Sequence, residues 1–141
     1  MIHSAKTLNQ LSHQVIAAAM DVHREFGCGL LERVYESALA YELKQRGIAF
    51  ERQKPVPIRY KNILLDDEGF KMDLCVENSI IIELKTVPQL LPIHSAQLQT
   101  YLRLSDMRLG LLMNFNVVLL KEGIKRVVHN FPEDETTSIQ L

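Results

Sequence analysis

The sequence has no excess of charge of either sign. Its 16 lysines and arginines stand against 17 aspartates and glutamates, leaving a net charge of −1. That balance gives no broad electrostatic field, so any nucleic-acid binding has to rest on a local patch. Cysteine is also scarce. Cys28 and Cys75 lie far apart and lack CxxC spacing, so they read as free thiols of a reducing compartment rather than a disulfide or zinc site. No apolar run approaches the length of a membrane span. The first ten residues lack the apolar core of a secretory signal. There is no internal repeat and no low-complexity linker. Gly27-Cys28-Gly29 is no phosphate loop, because no strand precedes it and no Gly-Lys-Ser/Thr follows. These absences predict a cytoplasmic, non-membrane chain. Its 141 residues suffice for one cored domain over 1–130, followed by a polar tail over 131–141.

The chain is organised around residues 73–85, Asp-Leu-Cys-Val-Glu-Asn-Ser-Ile-Ile-Ile-Glu-Leu-Lys. Two β-type runs flank a polar Glu77-Asn78-Ser79 turn, which predicts a hairpin. Side chains alternate along a strand, so Ile81, Glu83 and Lys85 share one face while Ile80, Ile82 and Leu84 point the other way. So dense an apolar run predicts a central buried strand. A buried carboxylate and ammonium are costly unless they pair or hold a metal. The hairpin returns Asp73 beside Glu83 and Lys85. Two carboxylates and a lysine at one sheet end suit a Mg²⁺-dependent phosphodiester hydrolase. For Glu-x-Lys alone, a plain ion pair is the simpler reading.

The remaining elements follow from periodicity. Leu8, Leu11, Val15, Ile16, Ala19, Val22 and Phe26 recur at helical spacing. Thr7 or Asn9 is expected to cap this helix and Gly27 to end it, with His23 and Arg24 as favourable charges in its last turn. A second helix is predicted over 31–45, with Leu31, Val34, Tyr35, Ala38, Leu39 and Leu43 inward and Gly47 as its stop. Glu32 and Glu36 lie one turn apart beside that stripe, and on their own read as surface charges. Short strands are expected over 48–53, 56–60, 63–65 and 70–76, with turns at Lys61-Asn62 and over 66–69. Arg52, Lys54, Arg59 and Lys61 form a basic group, either a solvated strand face or a phosphate-contacting patch. Pro92 opens a third helix, in which His94, Gln97 and Tyr101 share a face. Ala96, Leu98, Leu102 and Leu104 supply its apolar contacts. A buried strand over 108–115 is expected to continue through 117–120, and 124–128 forms the last strand. The order is ααββββαββ. The helix between the Glu83 strand and the next permits a parallel crossover. A mixed α/β sheet flanked by helices results, with its acidic end open.

Several segments resemble one known family. Gly29-Leu-Leu-Glu32-Arg-Val-Tyr35 is similar to the signature of the GxxExxY proteins, a group assigned to the PD-(D/E)XK nuclease superfamily. The likeness extends through Tyr35-Glu36, Gly69-Phe-Lys-Met-Asp73, Glu83-Leu-Lys85, His94-Ser-Ala-Gln97-Leu-Gln-Thr-Tyr101 and Gly110-Leu-Leu-Met-Asn114-Phe-Asn116. It implies a restriction-endonuclease-like fold and a nuclease using Mg²⁺ or Mn²⁺. Asp73 and Glu83 are the implied metal ligands, with the helix carboxylate Glu36 completing the metal shell directly or through water and Lys85 as the catalytic lysine. Gln97 and Tyr101 match the Gln-x-x-x-Tyr element of the RecB-like branch, which implies that they support the catalytic site from the neighbouring helix. Gly29, Glu32, Tyr35 and His94 belong to the family pattern without an implied chemical role. Met72 stands where the superfamily's name has proline, as is common in that branch. The implied partner is nucleic acid, gripped by the domain alone, as a homodimer or with a protein partner. The competing expectation is a non-enzymatic module that keeps the fold and binds nucleic acid or protein through Arg52, Lys54, Arg59 and Lys61.

Overall fold

A computed structural model of the chain describes residues 4–133, apart from the Glu68 side chain. The far end of the expected polar tail, 134–141, lies outside the described residues. Helix α1 spans Ala5–Phe26. Its cap is Ser4, whose hydroxyl accepts the Thr7 N–H at 3.1 Å, rather than Thr7 or Asn9. The helix-compatible residues Ala5 and Lys6 carry the first turn back to Ser4, so both expected caps sit inside the helix. Gly27 ends it with a positive φ of 65° and donates its N–H to His23 O. Helix α2 spans Glu32–Gln45. Leu8, Val15, Ala18, Ala19 and Val22 of α1 meet Tyr35, Leu39, Ala40 and Leu43 of α2 in one cluster. Phe26 and Leu31, expected on the inner stripes, are instead 44% and 62% exposed, because the chain leaves the packed layer at the Gly27–Leu30 corner.

Strands β1 (Phe50–Tyr60) and β2 (Ile63–Val76) form one long antiparallel ribbon. Lys61 and Asn62, both at positive φ, make its two-residue turn. Two expected breaks are absent. Pro55 and Pro57 do not split the first strand, because β1 is the sheet edge, where proline is tolerated. The 66–69 segment is no turn. The ladder absorbs the extra residues as irregularities, and Val56 pairs with both Gly69 and Phe70. Gly69 carries a φ of 48°, and a Cβ there would run into the Val56 carbonyl oxygen and the Ile58 side chain. Gly69→Ala is therefore expected to cost about 2 kcal/mol, a fall in Tm of roughly 5–8 °C by scanning calorimetry.

Strand β3 (Ile80–Lys85), helix α3 (Pro92–Ser105), strand β4 (Leu109–Asn114) and strand β5 (Ile124–Val128) complete the domain. Among the described residues the sheet has five strands, in the order β1-β2-β3-β4-β5. Only β3 and β4 pair in parallel, across α3. This is the expected mixed α/β sheet flanked by helices, consistent with a restriction-endonuclease-like fold. The expected continuation of β4 through 117–120 does not occur. Buried Asn114 accepts N–H groups from Val87 and Asn116 and donates to Val87 O at 2.9 Å. Those bonds turn the chain out of the ladder into a 3₁₀ turn, Leu120–Gly123.

Helices α1 and α2 cover one sheet face with Ile80, Ile82 and Leu84, while Leu98 and Leu102 of α3 cover the other with Ile81 and Leu112. Leu104 and Ala96 of α3 are exposed rather than packed, since Leu98 and Leu102 already fill its inner stripe. No helix among the described residues is long and apolar enough to cross a membrane.

Candidate metal centre at the end of the central hairpin

The alternation along β3 puts Glu83 and Lys85 on the same side as Ile81, at the end of the strand. Glu83 is 8% exposed and Lys85 half-buried. Leu74 pairs with Ile82, so Asp73 stands beside Glu83 across the hairpin. The Leu84 N–H donates to Asp73 Oδ2 at 2.8 Å, and the Asp73 N–H points to Glu83 Oε1 at 3.4 Å. Asp73 also marks a twist in the ribbon. Met72 packs with the α3 cluster, yet Leu74, two residues on, packs with α1 and α2. The carboxylate between them is thus presented at the end of the sheet, near where α2 begins.

Helix α2 brings its own acids there. Glu36 is 7% exposed and Glu32 is half-buried, so neither is the solvated surface charge that its spacing alone suggests. The first turns of α2 overlie the sheet end, and inward positions look onto it. Glu36 is balanced by Arg52, which donates Nε at 3.1 Å and Nη2 at 2.9 Å to Glu36 Oε2. Gln53 donates Nε2 to Glu36 Oε1 at 2.7 Å and reaches Asp73 Oδ1 at 3.4 Å. Neither role was visible in the sequence. Nothing marks a strand glutamine as a bridge between carboxylates, and Arg52 reads there as one of four cations.

Crowding of acids in a partly dry site shifts their titration. Burial and the Asp73 charge push Glu83 up to about 8, against the opposing Asp73 N–H and Lys85. Asp73 is raised by burial and by Glu36, with the Leu84 N–H, Gln53 and Lys85 working against the shift. Glu32 is raised by burial and by Asp73, with Lys85 opposing. Tyr101 is raised by burial and by the charges of Glu83 and Asp73. Its ring stacks on Phe70 with centroids 3.5 Å apart. No ion pair of 4 Å or less joins Lys85 to a carboxylate among the described residues. The simple Glu83–Lys85 ion pair is therefore not what occupies this end of β3.

Other expected residues lie as follows. Gln97 is exposed, one turn before Tyr101 on α3. His94 caps α3 by accepting the Leu91 N–H at Nδ1. Tyr35 donates its hydroxyl to Gly27 O at 2.6 Å, accepts the Leu30 N–H, and stacks on Phe115. It pins the corner between the first two helices, where Gly29 takes a φ of 101°. His23 is buried rather than simply at a helix end, and its Nε2 donates to Val117 O at 2.9 Å. Of the four expected cations, Arg52 is turned onto Glu36 and Lys54 donates to Asn78 Oδ1 at 2.9 Å. Arg59 pairs opposite Leu64 while Arg52 pairs opposite Leu74, so they stand about 20 Å apart along the ribbon. Arg59 and Lys61 belong to its far end.

The donor set fits a hard divalent cation. The carboxyl oxygens of Asp73 and Glu83 share a partly buried corner with one lysine, and a cation there would favour their charged forms, which burial and mutual repulsion disfavour. Among the described residues, no three His, Cys, Asp or Glu side chains form a ready-made metal cage. Mg²⁺ does not require one, because it binds through one or two carboxylates and keeps several waters. The same donors suit neither structural zinc, which prefers thiolate and imidazole, nor an all-protein calcium cage.

A model of the PD-(D/E)XK nuclease superfamily matches residues 9–127. No curated protein matches this chain. Among solved structures, the chain is similar to one titled "Crystal structure of SSO0001", with 26% identity and a TM-score of 0.48. The match covers 77% of this chain and 55% of that one, so the chain spans about half the length of that protein. The family match runs from α1 through β5 and takes in every carboxylate of the corner together with Lys85. With helices on both faces of a mixed sheet and that corner at its end, the chain belongs to the PD-(D/E)XK nuclease superfamily.

Proposed function

We propose that the protein is a Mg²⁺- or Mn²⁺-dependent nuclease of the GxxExxY group, in the RecB-like branch of its superfamily, hydrolysing phosphodiester bonds of nucleic acid. The observation that carries this reading is the meeting of Asp73, Glu83 and Lys85 at one sheet end. Asp73 and Glu83 would hold the cation, with Glu32 and Glu36 adding negative potential from α2. Bound there, a divalent cation supplies Lewis-acid charge and lowers the pKa of a coordinated water.

The chain's own residues supply the rest. Lys85 carries its ammonium beside the acids without a close ion pair, so it is available to orient the attacking water and offset charge developing on phosphate oxygens. Tyr101, stacked on Phe70 and inside the field of Glu83 and Asp73, keeps its hydroxyl proton and lines the α3 side. Gln97 borders the same side as a hydrogen-bonding group for substrate. Arg59 and Lys61 extend positive charge along the ribbon for backbone contacts. Free Cys28 and Cys75 accord with a reducing, cytoplasmic setting.

The test is cleavage of labelled single- and double-stranded DNA and RNA in millimolar Mg²⁺ or Mn²⁺, against the same reactions in EDTA. Metal-dependent cleavage by the wild type that is absent from Asp73→Ala supports the reading. Cleavage that survives EDTA, or that Asp73→Ala retains, removes it.

A further inference from the structure

Glu36, although buried among the site's acids, has both carboxylate oxygens engaged. Oε2 accepts two N–H groups of Arg52, whose Nη2 also reaches Ser37 Oγ at 3.0 Å. Oε1 accepts the Gln53 amide. That same amide nitrogen has a second hydrogen, and the atom within reach is Asp73 Oδ1. The other Asp73 oxygen is held by the backbone of β3 through the Leu84 N–H. Asp73 is therefore gripped on one side by a strand and on the other by a side chain that is itself anchored on Glu36, the buried partner of the half-exposed Arg52.

The backbone around Gln53 points the same way. The ribbon pairs Arg52 with Leu74 and Lys54 with Met72, so Gln53 stands opposite Asp73, at the twist in the ribbon. It adopts a φ of 52°, a left-handed conformation unfavourable for glutamine. Such conformations persist where the surroundings over-determine them. Glycine or asparagine would serve the backbone better there, and neither has an amide of the same reach.

We infer that Gln53 is a positioning residue of the metal centre, an uncharged bridge that transmits the fixed Arg52–Glu36 pair to Asp73 and sets the direction of its carboxylate. This rests on the metal-centre reading above and extends it to a residue outside the acid–lysine set. An amide suits the role because it donates to two carboxylates without adding charge. Outer-shell partners of this kind orient ligands and are usually worth 10- to 100-fold in metal affinity.

The test separates backbone from side chain. Gln53→Gly relieves the left-handed φ and removes the amide, while Gln53→Asn tolerates that φ but is one methylene shorter. Both variants are expected to keep the wild-type Tm within about 2 °C or to exceed it. Both should weaken Mn²⁺ affinity about 10-fold by calorimetry. In the metal-free protein, both should shift the Leu84 amide proton resonance, which reports the bond to Asp73 Oδ2. Unchanged Mn²⁺ affinity together with an unchanged Leu84 amide would overturn the inference. If the wild type itself binds no Mn²⁺, the metal-centre reading fails, and the Leu84 amide of the metal-free variants still decides whether Gln53 positions Asp73.

Discussion

Lys85→Ala is expected to lower metal-dependent phosphodiester cleavage by about a hundred- to a thousand-fold, the usual effect of removing one preorganised group that meets developing charge. Mn²⁺ binding should survive, because Lys85 is not a ligand, and should tighten if anything as a competing positive charge leaves the corner. The ammonium sits at the end of β3, where its partner across the parallel ladder is Asn114. The Phe115 N–H donates to Lys85 O at 2.9 Å, so backbone bonds on the β4 side hold the lysine in place independently of its side chain. Alanine should therefore fold normally, and a loss of rate would report chemistry. Single-turnover cleavage with saturating metal is the measurement. A variant that cleaves within a few-fold of wild type would remove Lys85 from the reaction.

Glu83→Gln should have opposite effects on stability and on metal binding. In the metal-free protein the Glu83 carboxyl is raised from 4.5 to about 8. A group raised on folding holds its proton in the native state while the unfolded chain has already lost it. Stability should therefore fall as pH rises from about 5 toward 8, and the loss is complete only above the folded value. The full shift sets a ceiling of about 5 kcal/mol, and side-chain relaxation and water entry bring the expected gain of Glu83→Gln at pH 8.5 to about 2 kcal/mol. Below pH 5 the gain should vanish. Urea denaturation in EDTA at the two pH values measures it. Saturating Mn²⁺ should reverse the ranking, because the ion stabilises the wild type by linkage and the amide is a poorer ligand. A wild-type stability that is flat between pH 5 and pH 8.5 without metal would contradict the burial argument.

The part of this site carried by β-strand alternation was legible in the sequence. The Glu77-Asn78-Ser79 turn forms, with Glu77 and Asn78 at positive φ, and it returns Asp73 to Glu83 as the spacing requires. The Ile80, Ile82 and Leu84 face packs as its apolar content demands. The α3 crossover between parallel strands follows equally from the element order. What period-two reasoning missed are the irregularities. Gly69 lets Val56 pair twice, so an acidic segment that reads as a turn continues the strand. Gln53 leaves regular β geometry through a left-handed φ that glutamine seldom adopts, and no propensity marks it.

The acids on α2 show a different limit. Glu32 and Glu36 lie beside an apolar stripe, and helical spacing cannot distinguish a solvated flank from one that overlies a sheet end. Only the tertiary arrangement decides, and it gives Glu36 to Arg52 and Gln53. The cations show the same limit. Arg52 and Lys54 are close in sequence to Arg59 and Lys61, but a β-ribbon spreads them over its length and uses the first two internally. Tyr35 and His94 also acquire their roles from local geometry, one as a corner pin between helices and the other as a cap.

The most direct measurement is a calorimetric Mn²⁺ titration of the wild type near pH 8, repeated on Asp73→Ala. A saturable heat in the wild type that disappears in the variant is the expected result, and it would locate the cation at the hairpin end. No heat in the wild type at millimolar Mn²⁺, or equal binding by Asp73→Ala, would contradict a metal centre built on Asp73 and Glu83.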